Sequence, residues 1–127
     1  MKKLSTIAAA AAMLAFSLSH AFAVTGIMEA DTSAGKVLTD AKGMTLYTFD
    51  KDAGGKSACY DDCAVNWPPL IAAADAVADA EYGLTDRTDG TKQWTYDGKP
   101  LYLWIKDQKP GDMTGDGVKG VWHVVKY

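Results

Sequence analysis

From Gly26 onward, short runs of apolar positions alternate with turn residues. Gly26 to Ala30 is the first alternating run, Lys36-Val37-Leu38-Thr39 the second, and Met44 to Lys51 the third. Asp31 to Gly35 and Asp40 to Gly43 between them are turn chemistry, rich in Asp and Gly. Three short strands joined by tight turns predict an antiparallel meander. In the third strand, period-2 alternation puts Tyr47 and Phe49 on one face and Leu46, Thr48 and Asp50 on the other. The first face reads as buried and the second as partly wet. Asp52, followed by Ala53-Gly54-Gly55, ends the strand, because an Asp there accepts backbone N–H groups of the following loop.

The second half reads similarly. Tyr82 to Arg87 and Lys92 to Tyr96 are strands around a Thr88-Asp89-Gly90 turn. Asp97-Gly98 is the strongest hairpin signal in the chain, favouring a type I′ turn into Lys99 to Lys106. There Leu101, Leu103 and Ile105 share one face, and Tyr102 and Trp104 the other. Apolar residues on both faces predict a strand buried on both sides. This strand is therefore placed centrally, and Met44 to Lys51 nearer an edge. Gly120 to Val125 is the last strand, after the polar loop Pro110 to Gly117. Ser57 to Ala64 suits a short helical turn capped by Ser57, which Trp67-Pro68-Pro69 stops. The Ala-rich stretch Ile71 to Ala80 is expected to be a partly helical linker.

The two halves are copies. Leu46-Tyr47-Thr48-Phe49-Asp50-Lys51-Asp52 returns 55 residues later as Leu101-Tyr102-Leu103-Trp104-Ile105-Lys106-Asp107. At the same offset Gly43 maps onto Gly98, Asp61 onto Asp116 and Trp67 onto Trp122. A fixed offset implies two copies of one unit, about 26–72 and 82–127. The expected fold class is all-β. Two pseudo-repeated antiparallel meanders pack as one small sandwich or barrel-like domain, with a short helical turn at the Cys-x3-Cys loop.

Residues 1–23 read as a secretory signal peptide: Lys2 and Lys3, an apolar run from Leu4 to Leu18, then Ala21-Phe22-Ala23. Removal after Ala23 leaves Val24 to Tyr127, one domain's worth of chain. The leader takes two of the 13 Lys and Arg residues, leaving 11 against 16 acidic residues and a net charge of −5. An acidic chain is a poor partner for nucleic acid or anionic membranes. No second long apolar segment follows, so no stable membrane insertion of the mature chain is expected. Export places Cys59 and Cys63 in an oxidising periplasmic or extracellular compartment, and their i, i+4 spacing suits a disulfide.

Tyr47-Thr-Phe49-Asp-Lys-Asp52 and Tyr102-Leu-Trp104-Ile-Lys-Asp107 both read Tyr-x-(Phe/Trp/Tyr)-x-x-Asp. The flanks are Ser57-Ala-Cys59-x-x-x-Cys63-Ala, Trp67-Pro-Pro-Leu70, Gln93 to Tyr102, Pro110 to Gly117 and Val121 to Val125. Over residues 36 to 125 the chain resembles the bacterial secreted repeat proteins and predicted lipoproteins defined by that motif. The resemblance implies the fold and the compartment. It implies no activity, because the family is one of unknown function. Members called lipoproteins carry an N-terminal lipobox cysteine, and this chain has none, so a soluble periplasmic form is expected.

The candidate chemistry is sparse. Tyr and Asp stand five positions apart in each motif, about 16 Å along a strand and on opposite faces, so they are no acid–base pair within one copy. They can meet across copies if the units pack antiparallel; the plain roles are Tyr as core aromatic and Asp as loop former. His123 is the only histidine after the leader, which argues against a His-rich metal site. Asp112-x-Thr114-x-Asp116-Gly117 opens like a calcium loop, but His123 stands where the bidentate Glu would be. Asp112, Asp116 and His123 are therefore weak metal candidates, and no cofactor is expected. The leading expectation is a non-enzymatic binding or envelope-associated module whose partner is an envelope component or small ligand. The alternative is a redox or metal-handling protein using Cys59 and Cys63 with His123 or the Asp-rich loops.

Overall fold

The computed structural model describes residues 26–127. The expected leader, residues 1–23, lies outside them. The chain runs β1 (Met28–Thr32), β2 (Gly35–Thr39), β3 (Tyr47–Phe49), α1 (Asp62–Asn66), β4 (Ile71–Ala72), β5 (Tyr82–Asp86), β6 (Lys92–Tyr96), β7 (Lys99–Pro100), a 3-10 turn at Val118–Gly120, and β8 (Trp122–Val124). The fold is all-β with antiparallel pairing throughout, as the alternation predicts. β1 pairs with β2, β3 with β8, and β6 carries β5 on one side and β4 and β7 on the other.

The strands are shorter than the alternation suggests, because each unit gives its last segment to the other. β4 ends the first unit yet pairs with β6 of the second, Ile71 opposite Gln93. β8 ends the second unit yet pairs with β3 of the first, Tyr47 opposite Val124. The exchange is two-fold in kind: Tyr102 bridges Pro69 just as Tyr47 pairs Val124, and Tyr47 and Tyr102 bridge each other. Closed rings of backbone bonds fasten both ends. Leu46 donates to Leu38, Leu38 to Val125 and Val125 to Leu46; Leu101 donates to Trp94, Trp94 to Leu70 and Leu70 to Leu101, all within 2.9–3.1 Å.

Two hydrophobic clusters fill the interior. Leu38, Leu46, Trp94, Leu101 and Val125 form one, and Tyr47, Cys59, Trp67, Tyr102 and Trp122 the other. Alternation along each motif strand divides its residues between them: Leu46 and Leu101 point to the first, Tyr47 and Tyr102 to the second. All four are fully buried. The Leu46 face is partly wet as expected, dry at Leu46 and open to solvent at Thr48 and Asp50. β3 pairs with β8 on one side and makes a single bridge, Tyr47 to Tyr102, on the other. The expectation of a strand from Lys99 to Lys106 buried on both faces is corrected: only Lys99–Pro100 is strand, bridges beyond it form at Tyr102 alone, and Ile105 is exposed.

Two further corrections concern local structure. Ile71 to Ala80 contains no helix; it holds β4 and then turns, the first closed by Ala76 N–H on Ala73 O. Pairing of Ile71 and Ala72 with β6 outweighs alanine's helix propensity. The helical turn at the cysteines is real, but its N-cap is Asp61, which makes no side-chain capping bond. Ser57 instead accepts the Cys59 N–H at 3.1 Å. Cys59 and Cys63 are disulfide-bonded, with Cα atoms 5.2 Å apart.

Candidate functional site

The duplicated motif closes across the two units. Tyr47 Oη donates to Asp107 Oδ2 at 2.6 Å, and Tyr102 Oη donates to Asp52 Oδ2 at 2.7 Å. Each Asp turns its other oxygen to the loop that follows it. Asp52 Oδ1 accepts the Ala58 N–H at 2.7 Å. Asp107 Oδ1 accepts the Thr114 N–H at 2.9 Å and its hydroxyl at 2.6 Å. The phenol oxygens accept in turn, Tyr47 from Gly115 N–H and Tyr102 from the Ser57 hydroxyl. Burial pushes both phenols well above the ordinary tyrosine value, and the adjacent carboxylates add to it. Burial also raises the Asp52 carboxyl, opposed by the bonds from Tyr102 and Ala58.

Rings fill the space between the braces. Trp67 and Trp122 stack with centroids 3.8 Å apart and planes 2° apart. Trp104 stacks on the outer face of Trp67 at 3.9 Å, and Phe49 on that of Trp122 at 4.1 Å. Tyr47 meets Trp67 edge-on, and Tyr102 meets Trp122 edge-on. Gly115 is required here, since a Cβ would lie 2.7 Å from Trp67 and 2.9 Å from Trp104.

Arg87 is a structural residue that the sequence reading missed. It is buried, and its guanidinium donates to Gln93 Oε1 at 2.8 Å, Ser57 Oγ at 3.0 Å and Cys59 O at 2.8 Å, while lying 4.2 Å over the Tyr60 ring. It ties the cysteine loop of the first unit to β6 of the second. The available signal was its rarity: it is the one arginine in a chain with twelve lysines, and a planar fork suits a buried site with several acceptors.

The weak metal candidates are engaged separately. Asp112 accepts the Gln108 and Lys109 N–H groups and pairs with the Lys109 ammonium. Asp116 Oδ1 accepts the Val124 N–H. His123 Nε2 lies 2.8 Å from Asp50 Oδ2 on the exposed face of the β3–β8 ribbon. Among the described residues, no three His, Cys, Asp or Glu side chains gather as a metal-holding group.

The two units also differ in the surface beside their motif segments. Beside β3, a crevice of about 380 Å³ is lined by Thr48, Phe49, Asp50, Gly55, Gly98 and Lys99, among others. It continues past His123 into a second hollow of about 300 Å³ that shares Thr48, Asp50 and Lys99. Fifty-five residues away, Ile105 stands for Asp50, Met44 for Lys99, Pro110 for Gly55 and Gly43 for Gly98. There the proline ring fills the space: a Cβ on Gly43 would be 3.2 Å from Pro110 Cβ, and Thr45 Oγ1 donates to Asp112 O at 2.7 Å. At Gly98 a Cβ would meet nothing within 4 Å. One crevice is apolar and plugged by the chain's own loop. Its twin is open and carries opposite charges.

Among the described residues, no helix is long and apolar enough to cross a membrane. No curated protein and no solved structure matches the chain. The family of secreted repeats of unknown function matches it twice, over residues 28–71 and 83–126. These spans coincide with the two units that exchange strands and close each other's Tyr–Asp braces, and the chain belongs to that secreted repeat family.

Proposed function

We propose that this secreted repeat protein is a non-enzymatic binding module of the periplasm or cell exterior that holds a small hydroxyl-rich ligand in the open crevice beside β3. The observation that carries the reading is the divergence between the two crevices: plugged by Pro110 in one unit, open at Gly55 and Gly98 in the other. Its size falls at the low end for small-molecule sites. Asp50 accepts hydrogen bonds, Lys99 donates them, and Phe49 supplies an apolar surface, a combination that suits a sugar ring. The motif residues support a non-catalytic role, because both phenols and both carboxylates are already committed to each other and to loop amides. A redox role for Cys59 and Cys63 is less favoured, since Cys59 is fully buried and Cys63 is partly so, which limits attack by a thiolate.

The test is an amide NMR titration of the mature protein with a panel of neutral and amino monosaccharides. Saturable shifts are expected at Gly54, Gly55, Gly98 and Lys99, and their loss in Lys99→Ala. Absence of shifts at those amides across the panel would remove the reading.

A further inference from the structure

The ring stack and the braces form one continuous path. Trp104, Trp67, Trp122 and Phe49 lie face to face with neighbouring centroids 3.9, 3.8 and 4.1 Å apart. Trp67 and Trp122 are buried, whereas Trp104 and Phe49 at the two ends are partly exposed. Packing explains large rings in contact. It does not by itself explain why a buried phenol beside the stack should face a carboxylate, twice. A phenol that loses an electron must also lose its proton, and a carboxylate at hydrogen-bond distance is the group that accepts it. We propose that the stack carries single oxidising equivalents inward from Trp104 to Tyr102, with Asp52 as the proton acceptor.

The steps balance as follows. A one-electron oxidant at the surface, an oxidised metal complex or an oxygen-centred radical, takes one electron from the Trp104 indole. Trp67 refills Trp104, and Trp122 refills Trp67, each passing on one electron. Tyr102, edge-on to Trp122 with centroids 5.2 Å apart, supplies the last electron. Its phenolic proton crosses to Asp52 Oδ2, 2.7 Å away. The oxidant has gained one electron, Tyr102 is a neutral phenoxyl radical, Asp52 is a carboxylic acid, and no atom has left the protein.

Two features give the path a direction. The Lys106 ammonium lies 5.8 Å from the centre of the Trp104 ring, and its charge opposes a positive hole remaining there. Tyr102 is favoured over Tyr47 because their acceptors differ. Asp107 already receives both the amide and the hydroxyl of Thr114, whereas Asp52 receives one amide besides the phenol. Fewer donors leave the Asp52 carboxylate with more acceptor capacity for the phenolic proton.

The experiment uses the mature chain with Tyr60, Tyr82, Tyr96 and Tyr127 changed to Phe, so that only Tyr47 and Tyr102 can form tyrosyl radicals. Flash-generated tris(bipyridyl)ruthenium(III) serves as the oxidant, read by transient absorption and electron paramagnetic resonance. A tryptophanyl signal is expected to decay as a tyrosyl signal rises, with a slower rise in deuterated water. Trp104→Leu, a partly exposed position, should lose most of the tyrosyl yield, and Tyr102→Phe should lose it as well. Asp52→Asn, if folded, should leave the oxidation at the tryptophans. A tyrosyl yield unchanged by Trp104→Leu, an unchanged yield in Tyr102→Phe, or no tyrosyl signal at all would overturn the proposal.

Discussion

At the scale of single residues, the Tyr–Asp brace is the feature to test first, because two partners 60 positions apart in sequence meet at 2.6 Å in a buried setting. A hydrogen bond from a phenol to a carboxylate is worth about 1.5–3 kcal/mol. Tyr47→Phe and Asp107→Asn should each destabilise, and the double variant should cost about 1 kcal/mol less than their sum, measured by urea unfolding. Strict additivity would mean that the two side chains do not support each other. The phenols also set an alkaline limit. Their folded pKa values are raised, so the stabilisation from keeping them protonated is complete below the ordinary tyrosine value of about 10 and is lost as pH climbs beyond it. Unfolding midpoints should therefore fall above about pH 10, and fall less steeply in Tyr102→Phe. A midpoint that falls equally in both proteins would assign the alkaline loss elsewhere. The sequence shows that each Tyr and its own Asp cannot meet, from their odd spacing. It does not show which Asp each Tyr finds, because that depends on how the two units face one another.

At the scale of elements, the cysteine loop is held by two devices of different strength. The Cys59–Cys63 disulfide closes a very short loop, and chain-entropy stabilisation grows with loop length, so replacing both cysteines with Ala should cost about 2 kcal/mol or less. Arg87 holds the same loop through Ser57 and Cys59 O while bonding Gln93 on β6. Arg87→Met would leave buried acceptors unpaired at about 1–3 kcal/mol each, and should destabilise more than loss of the disulfide. Urea unfolding of the two variants decides it; the reverse order would make the covalent link the main fastening. Sequence patterning reveals the disulfide, whose spacing is local, and misses Arg87, whose acceptors come from two segments far apart in the chain. The long second motif strand fails for a related reason. Leu101, Leu103 and Ile105 read as one buried face, but past Pro100 the segment makes strand bridges only at Tyr102, to Tyr47 and Pro69, and Ile105 is left exposed. Ile71 and Ala72 are likewise strand only because β6 of the other unit lies beside them.

At the scale of the whole molecule, the repeat is not a folding unit. Every segment that completes a core comes from the other copy: Val124 and Val125 cover Tyr47 and Leu46, Pro69 and Leu70 cover Tyr102 and Leu101, and the Trp67–Trp122 stack joins the two halves face to face. A single unit would keep the Leu46–Leu38 or Leu101–Trp94 bond but expose the rest of its motif segment on both edges and leave its Tyr without a carboxylate. The chain cut between Ala80 and Glu81, in the turn where Asp79 and Tyr82 bond each other, should give two pieces that are each unfolded alone by circular dichroism. Mixed in equal amounts they should assemble into one 1:1 complex with the near-ultraviolet signal of the stacked tryptophans. Its thermal midpoint should rise with concentration, because folding is then a bimolecular event. Pairing of β3 with β8 also joins nearly opposite ends of the domain, so the uncut chain closes a long loop before its second cluster forms, which slows folding of the intact protein. A stable monomeric fold from either piece would show that one repeat completes its own core. The exchanged strands would then be an embellishment of that repeat, with the architecture residing in the single unit.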